Sequence, residues 1–225
     1  MGDKMNVYIY PNNPDDDSLA KEATSTIQSA LESVVTYFGN SGESISAITE
    51  YDSSHPSLIE KPGLSYRSDK AILLTEFRSW VNSQDPVKEP DTGLYLLVGS
   101  DFDGGLSGGL VGGAWKNHPA AVAGKNNAGM AHFKNICIQE VLHAFIDNPD
   151  EILDGNEHRF GEVVPSETSS GGKQTPMVTS YVDDGLDGEG NCDRTGENPG
   201  YTTELTTCTK DILLETYRNQ GQWFT

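Results

Sequence analysis

The sequence predicts an α/β (α+β) fold in which helices cover a mixed, twisted sheet and an irregular C-terminal part ends in one closing helix. Strand and helix patterns alternate over residues 1–146, and residues 93–99 form an almost continuous apolar run. Residues 147–198 are instead rich in Gly, Asp, Pro and Ser. We therefore predict an N-terminal α/β subdomain over residues 1–146 and a loop-rich C-terminal subdomain over residues 147–225, which together make one catalytic-type domain.

The individual elements follow from the spacing of apolar residues. Runs of β-branched and aromatic residues predict strands at 7–10, 45–51, 93–99 and 120–123. Apolar residues three and four apart predict helices at 18–38, 69–81, 131–145 and 209–220. The unbroken apolar run at 93–99 is typical of a buried central strand. The glycine-rich segment 101–115 lacks a Gly-Lys-Ser/Thr sequence, which excludes a phosphate loop, and we predict an irregular loop leading into a short edge strand at 110–115.

The charge of the chain limits the classes of partner. The 225 residues include 15 Lys and Arg against 34 Asp and Glu, which gives a net charge of −19. Nucleic acids and anionic membranes select basic surfaces, so we expect neither as a partner. No apolar run is long enough to span a membrane. We expect a secreted monomer, although adaptation to high salt would give the same composition. No signal peptide is visible, and we interpret residues 1–5 as a start placed before the mature strand.

The most informative motif is Gln139-Glu140-Val141-Leu142-His143, which differs by one residue from the zinc-protease signature H-E-x-x-H. Residues four apart share one face of a helix, so both positions can reach one metal ion. His143 is the firmest zinc ligand, Gln139 stands where the first histidine would be, and Glu140 is the candidate general base. His158 follows a proline-directed exit from the helix and is the next candidate ligand. A buried hydrogen-bonded Glu–His pair remains the structural alternative.

A second motif lies further along the chain, where Met177 is followed by Tyr181. This segment resembles the Met-turn of the metzincin metalloproteases, and the order of strands and helices is similar to theirs over much of the chain. The resemblance implies that Met177 forms the hydrophobic floor beneath the metal and that Tyr181 is a ligand or an oxyanion stabiliser. It also implies an antiparallel edge strand that pairs with an extended peptide substrate, through Gly109, Leu110, Val111 and Gly112. Ile146 and Pro149 stand where the family pattern has a glycine and a third ligand.

Two further features concern ions and cysteines. Asp183, Asp187, Glu189 and Asp193 alternate with glycines in a manner that suits Ca²⁺, although a solvated acidic loop is the alternative. Cys192 and Cys208 could form a disulfide that closes a short loop, worth roughly 3 kcal/mol. Cys137 lies within the motif helix, where we expect a small buried apolar residue.

These observations leave three functional hypotheses. The first is a zinc-dependent endopeptidase that hydrolyses peptides or proteins through a metal-activated water. The second is a catalytically inactive protein of metzincin fold that binds peptides or proteins, since the first ligand position holds Gln139. The third is an acidic, calcium-stabilised surface protein in which the motif occurs by chance.

Overall fold

The computed structural model describes residues 3–58, 67–84, 93–108, 119–126, 128–146, 163–164, 173–177 and 200–220. Five strands form one sheet in the order β2-β1-β3-β5-β4. These strands are β1 (Asp3–Pro11), β2 (Ile45–Tyr51), β3 (Leu94–Gly99), β4 (Asp103–Gly108) and β5 (Ala120–Lys125). All neighbours in the sheet are parallel except β4, which runs antiparallel to β5. The predicted mixed α/β fold is confirmed.

The strands alternate their side chains between two cores, as a two-residue period requires. Helices α1 (Asp17–Asn40), α3 (Met130–His143) and α4 (Thr207–Gln220) cover one face of the sheet, and helix α2 (Arg67–Gln84) covers the other. Within β3, Leu94, Leu96 and Val98 face the first core, whereas Tyr95 and Leu97 face the second. Every residue of β3 is buried, so this strand is the central strand that its apolar run predicts.

Strand β1 begins earlier than the sequence pattern indicates. Asp3 already pairs with Ile45 of β2, and Met5 is fully buried in the first core. Residues 3–5 therefore belong to the sheet, and the predicted start of the first strand at residue 7 is wrong.

Helix α1 has well-defined signals at both ends. The Asn13 side chain accepts a hydrogen bond from the Asp15 backbone N–H, and Pro14 opens the short 3₁₀ turn that leads into the helix. The helix ends at Asn40 because Gly42 adopts a left-handed φ of +88°, which L-residues avoid. Its buried face follows the predicted spacing, with Ile27, Leu31 and Val34 in the core.

An antiparallel edge strand lies in a segment that was predicted to be a loop. We expected an irregular loop before residue 110, but residues 103–108 form β4 and pair in register with β5, from Asp103 opposite Lys125 to Gly108 opposite Ala120. Glycine has low β propensity, and that preference is overridden here by backbone pairing with a buried partner strand. The segment at 110–115 lies outside the described residues.

Candidate functional site

Helix α3 carries the motif and is buried on almost every side. It lies against β4, β5 and α1, and it also contacts β8 (Gly200–Tyr201). Gln139 and Glu140 are only 7 % and 6 % exposed, although both side chains are polar. His143 occupies the last turn, is partly buried, and has a buried Nδ1 atom. The predicted carboxylate and imidazole thus lie one turn apart in a largely desolvated environment.

Glu140 packs directly against the edge strand at Gly105. A methyl group at Gly105 would lie 2.5 Å from Oε1 and 2.6 Å from Cδ of Glu140, well inside van der Waals contact. The absence of a side chain at Gly105 therefore gives the carboxylate its room between α3 and β4. This contact places the motif carboxylate beside the strand at the edge of the sheet.

Two neighbouring groups report on the electrostatics of α3. Burial, and then the negative charge of Glu140, raise the pKa of the Cys137 thiol well above its ordinary value, so this buried free cysteine is an unreactive thiol. At the start of the helix, His132 stacks on Tyr201, with ring centroids 4.0 Å apart. Burial lowers the pKa of His132, and the charge of Asp103 on β4 opposes that shift.

One buried amide on α3 contacts two backbone segments of the C-terminal part of the chain. Asn135 is 2 % exposed, and its Nδ2 donates hydrogen bonds to the carbonyls of Gln174, at 3.0 Å, and Thr202, at 2.8 Å. Gln174 lies in the small sheet of order β6-β7-β8, where β6 is Val163–Val164 and β7 is Lys173–Gln174. The backbone at the end of β7 and the backbone just after β8 are therefore both held against the motif helix.

Met177 lies in a turn directly after β7 and is fully buried in the core that includes α3. Its proposed role beneath a metal stays a prediction.

Several predicted site residues lie outside the described residues. These include the candidate ligand His158, Tyr181 and Cys192. They also include the predicted substrate-binding residues Gly109, Leu110, Val111 and Gly112, and the predicted calcium ligands Asp183, Asp187, Glu189 and Asp193. Their roles stay predictions, as does the disulfide between Cys192 and Cys208. Within the described ranges, no three His, Cys, Asp or Glu side chains are grouped to hold a metal ion.

Sequence reasoning missed two residues that shape the site, Gly105 and Asn135. The predicted loop before residue 110 includes Gly105, and the residues of β4 carry no local strand pattern. Asn135 has no predicted role because an asparagine in a helix usually faces solvent. The available signal was its position one turn before Gln139, on a helix with almost no polar face.

The comparisons with known proteins are informative only at the level of the fold. No family model and no curated protein matches the chain. Among solved structures, the chain is similar to metalloproteinase-II from Bacteroides fragilis, with 19 % identity over 66 % of this chain and 45 % of that one, at a TM-score of 0.43. It is also similar to a structure of a chaperone–substrate complex, with 12 % identity over 100 % of this chain and 35 % of that one, at a TM-score of 0.50.

The second likeness shows a shared fold. The first score is too low to support an argument, and neither identity carries a function across. The chain spans less than half the length of either matched chain. Among the described helices, none combines the length and the apolar character that crossing a bilayer requires.

Proposed function

We propose that this chain is a metzincin-like, zinc-dependent endopeptidase. The observation that carries the proposal is the buried carboxylate of Glu140, one turn before His143 and packed against Gly105 of the edge strand. Its position beside a strand edge, where an extended peptide can pair, suits it to act on a peptide substrate.

The described residues fit a zinc site in part. His143 supplies an imidazole, the preferred nitrogen ligand, and Gln139 presents a carboxamide oxygen one turn earlier on the same face of α3. A third ligand must come from outside the described residues, and His158 is our candidate. Zinc, when bound, would polarise the scissile carbonyl and lower the pKa of a bound water.

The contribution of the chain itself rests on Glu140 and the edge strand. The Glu140 carboxylate accepts a proton from the attacking water and returns it to the leaving amine, a role that typically contributes 10²–10⁴-fold to the rate. Backbone groups of β4 hold the substrate extended beside that carboxylate. Tyr181 is our candidate for stabilising the oxyanion.

Zinc content tests the proposal independently of activity. We expect about one zinc per chain by elemental analysis after dialysis against a weak chelator, and we expect His143→Ala and His158→Ala to lose it. His132→Ala is the matched control, because His132 lies on the same helix outside the motif. A folded protein that takes up no zinc, even when zinc is supplied, would contradict the proposal.

Hydrolysis of a denatured protein substrate tests the role of Glu140. We expect Glu140→Gln to keep its zinc and to lose activity by about 10²-fold or more. Gln139→His should raise zinc affinity, because it restores an imidazole at the first ligand position. An active Glu140→Gln variant would exclude Glu140 as the general base.

A second candidate function is binding of peptides or proteins without hydrolysis. The observation in its favour is Gln139, a neutral amide buried at the position of a zinc ligand. A chaperone–substrate complex is among the structures that share this fold. This candidate predicts that a fluorescent extended peptide binds with the same Kd to the wild type and to His143→Ala, with no cleavage in either case.

We further propose that the protein acts as a secreted monomer with a disulfide between Cys192 and Cys208. Thiol titration of the unfolded, unreduced protein should then find one thiol per chain, from Cys137, which is free and buried. Three titratable thiols would contradict the disulfide.

A further inference from the structure

The strand order contains a reversal between β1 and β3. The chain passes from β1 through α1 to β2 on one side, and from β2 through α2 to β3 on the other side of β1. Because α1 and α2 cover opposite faces, the connections diverge above the carboxyl ends of β1 and β3. In open parallel sheets such a reversal is the usual place for a bound ligand.

A buried carboxylate lies at this place. Asp16 is 0 % exposed, and its Oδ1 accepts hydrogen bonds from the Ser100 backbone N–H at 2.9 Å and from the Ser100 hydroxyl at 2.6 Å. Its Oδ2 is also buried, and no described residue donates a hydrogen bond to it. Asp16 precedes α1, yet its side chain does not cap that helix. An ionised oxygen that is buried in this way needs a compensating positive charge or proton.

The carboxylate of Asp101 influences the charge state of Asp16. Asp101 follows Ser100 directly, and the Nδ2 of Asn13 donates to its Oδ2 at 3.3 Å. Burial, and to a smaller extent the charge of Asp101, raise the pKa of Asp16, although the hydrogen bonds from Ser100 oppose that shift. The adjacent Asp17 is already occupied by His55, at 2.9 Å.

We propose that Asp16 and Asp101 bind a hard divalent cation, Ca²⁺ or Mg²⁺, at the carboxyl ends of β1 and β3. In the described part of the chain no third acidic, His or Cys side chain joins them. A pair of carboxylates completed by oxygen atoms of hydroxyl, carbonyl or water groups suits Mg²⁺ or Ca²⁺ and disfavours zinc. The cation supplies the positive charge that Oδ2 of Asp16 lacks, and it joins the β1–α1 connection to the β3–β4 connection.

The test uses the full chain after removal of metals with a chelator. Ca²⁺ and Mg²⁺ are titrated separately, with binding stoichiometry measured by calorimetry and Tm by thermal unfolding. Asp16→Asn keeps the shape and the acceptor for Ser100 while it removes the charge. Asp101→Asn serves as a second variant on a half-buried side chain. The matched control is Asp15→Asn, because Asp15 is exposed in the same segment.

We expect the wild type and Asp15→Asn to show a rise in Tm of roughly 5 °C at an ion concentration of about 100 times the Kd. Asp16→Asn and Asp101→Asn should each bind one ion fewer per chain and lose this rise. The comparison of the two titrations identifies the preferred ion. Equal stoichiometry in the wild type and both variants would overturn the proposal, since any bound ion would then lie elsewhere, such as in the acidic loop at 183–193. A wild type that binds neither ion would also overturn it and would indicate that Asp16 is protonated.

Discussion

At the scale of single residues, the close packing of helix α3 on strand β4 depends on the absence of a side chain at Gly105. Gly105 lies opposite Ala123 in the β4–β5 pair, and the Glu140 carboxylate occupies the space where a Cβ would be. Gly39 near the end of α1 is different, because a methyl group there would meet nothing within 4 Å. Glycine is therefore sterically required at position 105, whereas a larger residue would fit at position 39.

We predict that Gly105→Ala destabilises the protein by about 1–3 kcal/mol, because the added methyl group must displace a buried carboxylate or move β4 away from α3. Gly39→Ala should be neutral or stabilising by up to about 1 kcal/mol, since alanine is the better helix former. Urea unfolding of both variants provides the measurement. Equal effects at the two positions would show that Glu140 does not require the space at Gly105.

At the scale of elements, periodicity and apolar runs predicted most of the scaffold. The spacing in α1 and the continuous apolar run of β3 identify these elements, because burial of one helix face or of both strand faces leaves a direct mark in the sequence. Strand β4 leaves no such mark. Its residues, Asp-Gly-Gly-Leu-Ser-Gly, are all partly exposed, and the strand forms by pairing with β5.

The candidate site was predictable to a similar extent. The spacing of Glu140 and His143 follows from local helix geometry, so sequence reasoning places both on α3. The packing of Glu140 on Gly105 joins residues 35 positions apart, and the hydrogen bonds of Asn135 reach across 39 and 67 positions. Tertiary packing determines such contacts, and no local pattern in one sequence records them.

The hydrogen bonds of Asn135 attach the small C-terminal sheet to α3, together with the stacking of His132 on Tyr201. We predict that Asn135→Ala lowers the free energy of unfolding by about 1–3 kcal/mol, because it removes two hydrogen bonds donated by a buried amide. The Thr202 carbonyl loses this donor, whereas the Gln174 carbonyl keeps the Thr202 backbone N–H. Asn82→Ala is the control, since Asn82 is exposed on α2 and its replacement should change stability by less than about 0.5 kcal/mol. Proteolysis of the native variant should also accelerate after residue 146 if the attachment is lost. An Asn135→Ala variant as stable as the Asn82→Ala variant would show that another contact holds this sheet.

At the scale of the whole molecule, hydrogen bonds connect the closing helix to the beginning of the chain. The Tyr217 hydroxyl on α4 donates to Oδ2 of Asp3 on β1 at 2.8 Å, across 214 positions. Arg218 on the same helix donates to Glu43 at 2.9 Å, beyond the end of α1. Because α4 also packs Ile212 and Leu213 into the first core, the closing helix is an integral layer of the α/β fold.

The bond between Tyr217 and Asp3 makes the stability of this closure depend on pH. Burial, together with the hydrogen bond to Asp3 and its charge, raises the pKa of Tyr217 to about 12, whereas an unfolded tyrosine titrates near 10. The folded chain therefore holds this proton more tightly, so the stabilisation is complete below about pH 10 and is lost as the pH rises towards 12. With allowance for the partial exposure of the ring, we expect the loss to be about 1–2 kcal/mol.

A double-mutant cycle between Tyr217→Phe and Asp3→Asn isolates this contribution from the other ionising groups. The coupling free energy between the two side chains should be about 1 kcal/mol at pH 8, and it should be clearly smaller at about pH 11.5. Chemical unfolding at both pH values gives the four free energies that each cycle requires. The coupling decreases because the unfolded tyrosine is ionised above about pH 10, whereas the folded phenol must keep its proton to donate to Asp3. A coupling that is the same at the two pH values would mean that Asp3 does not hold the Tyr217 proton, and the alkaline loss of stability would then arise elsewhere in this highly acidic chain.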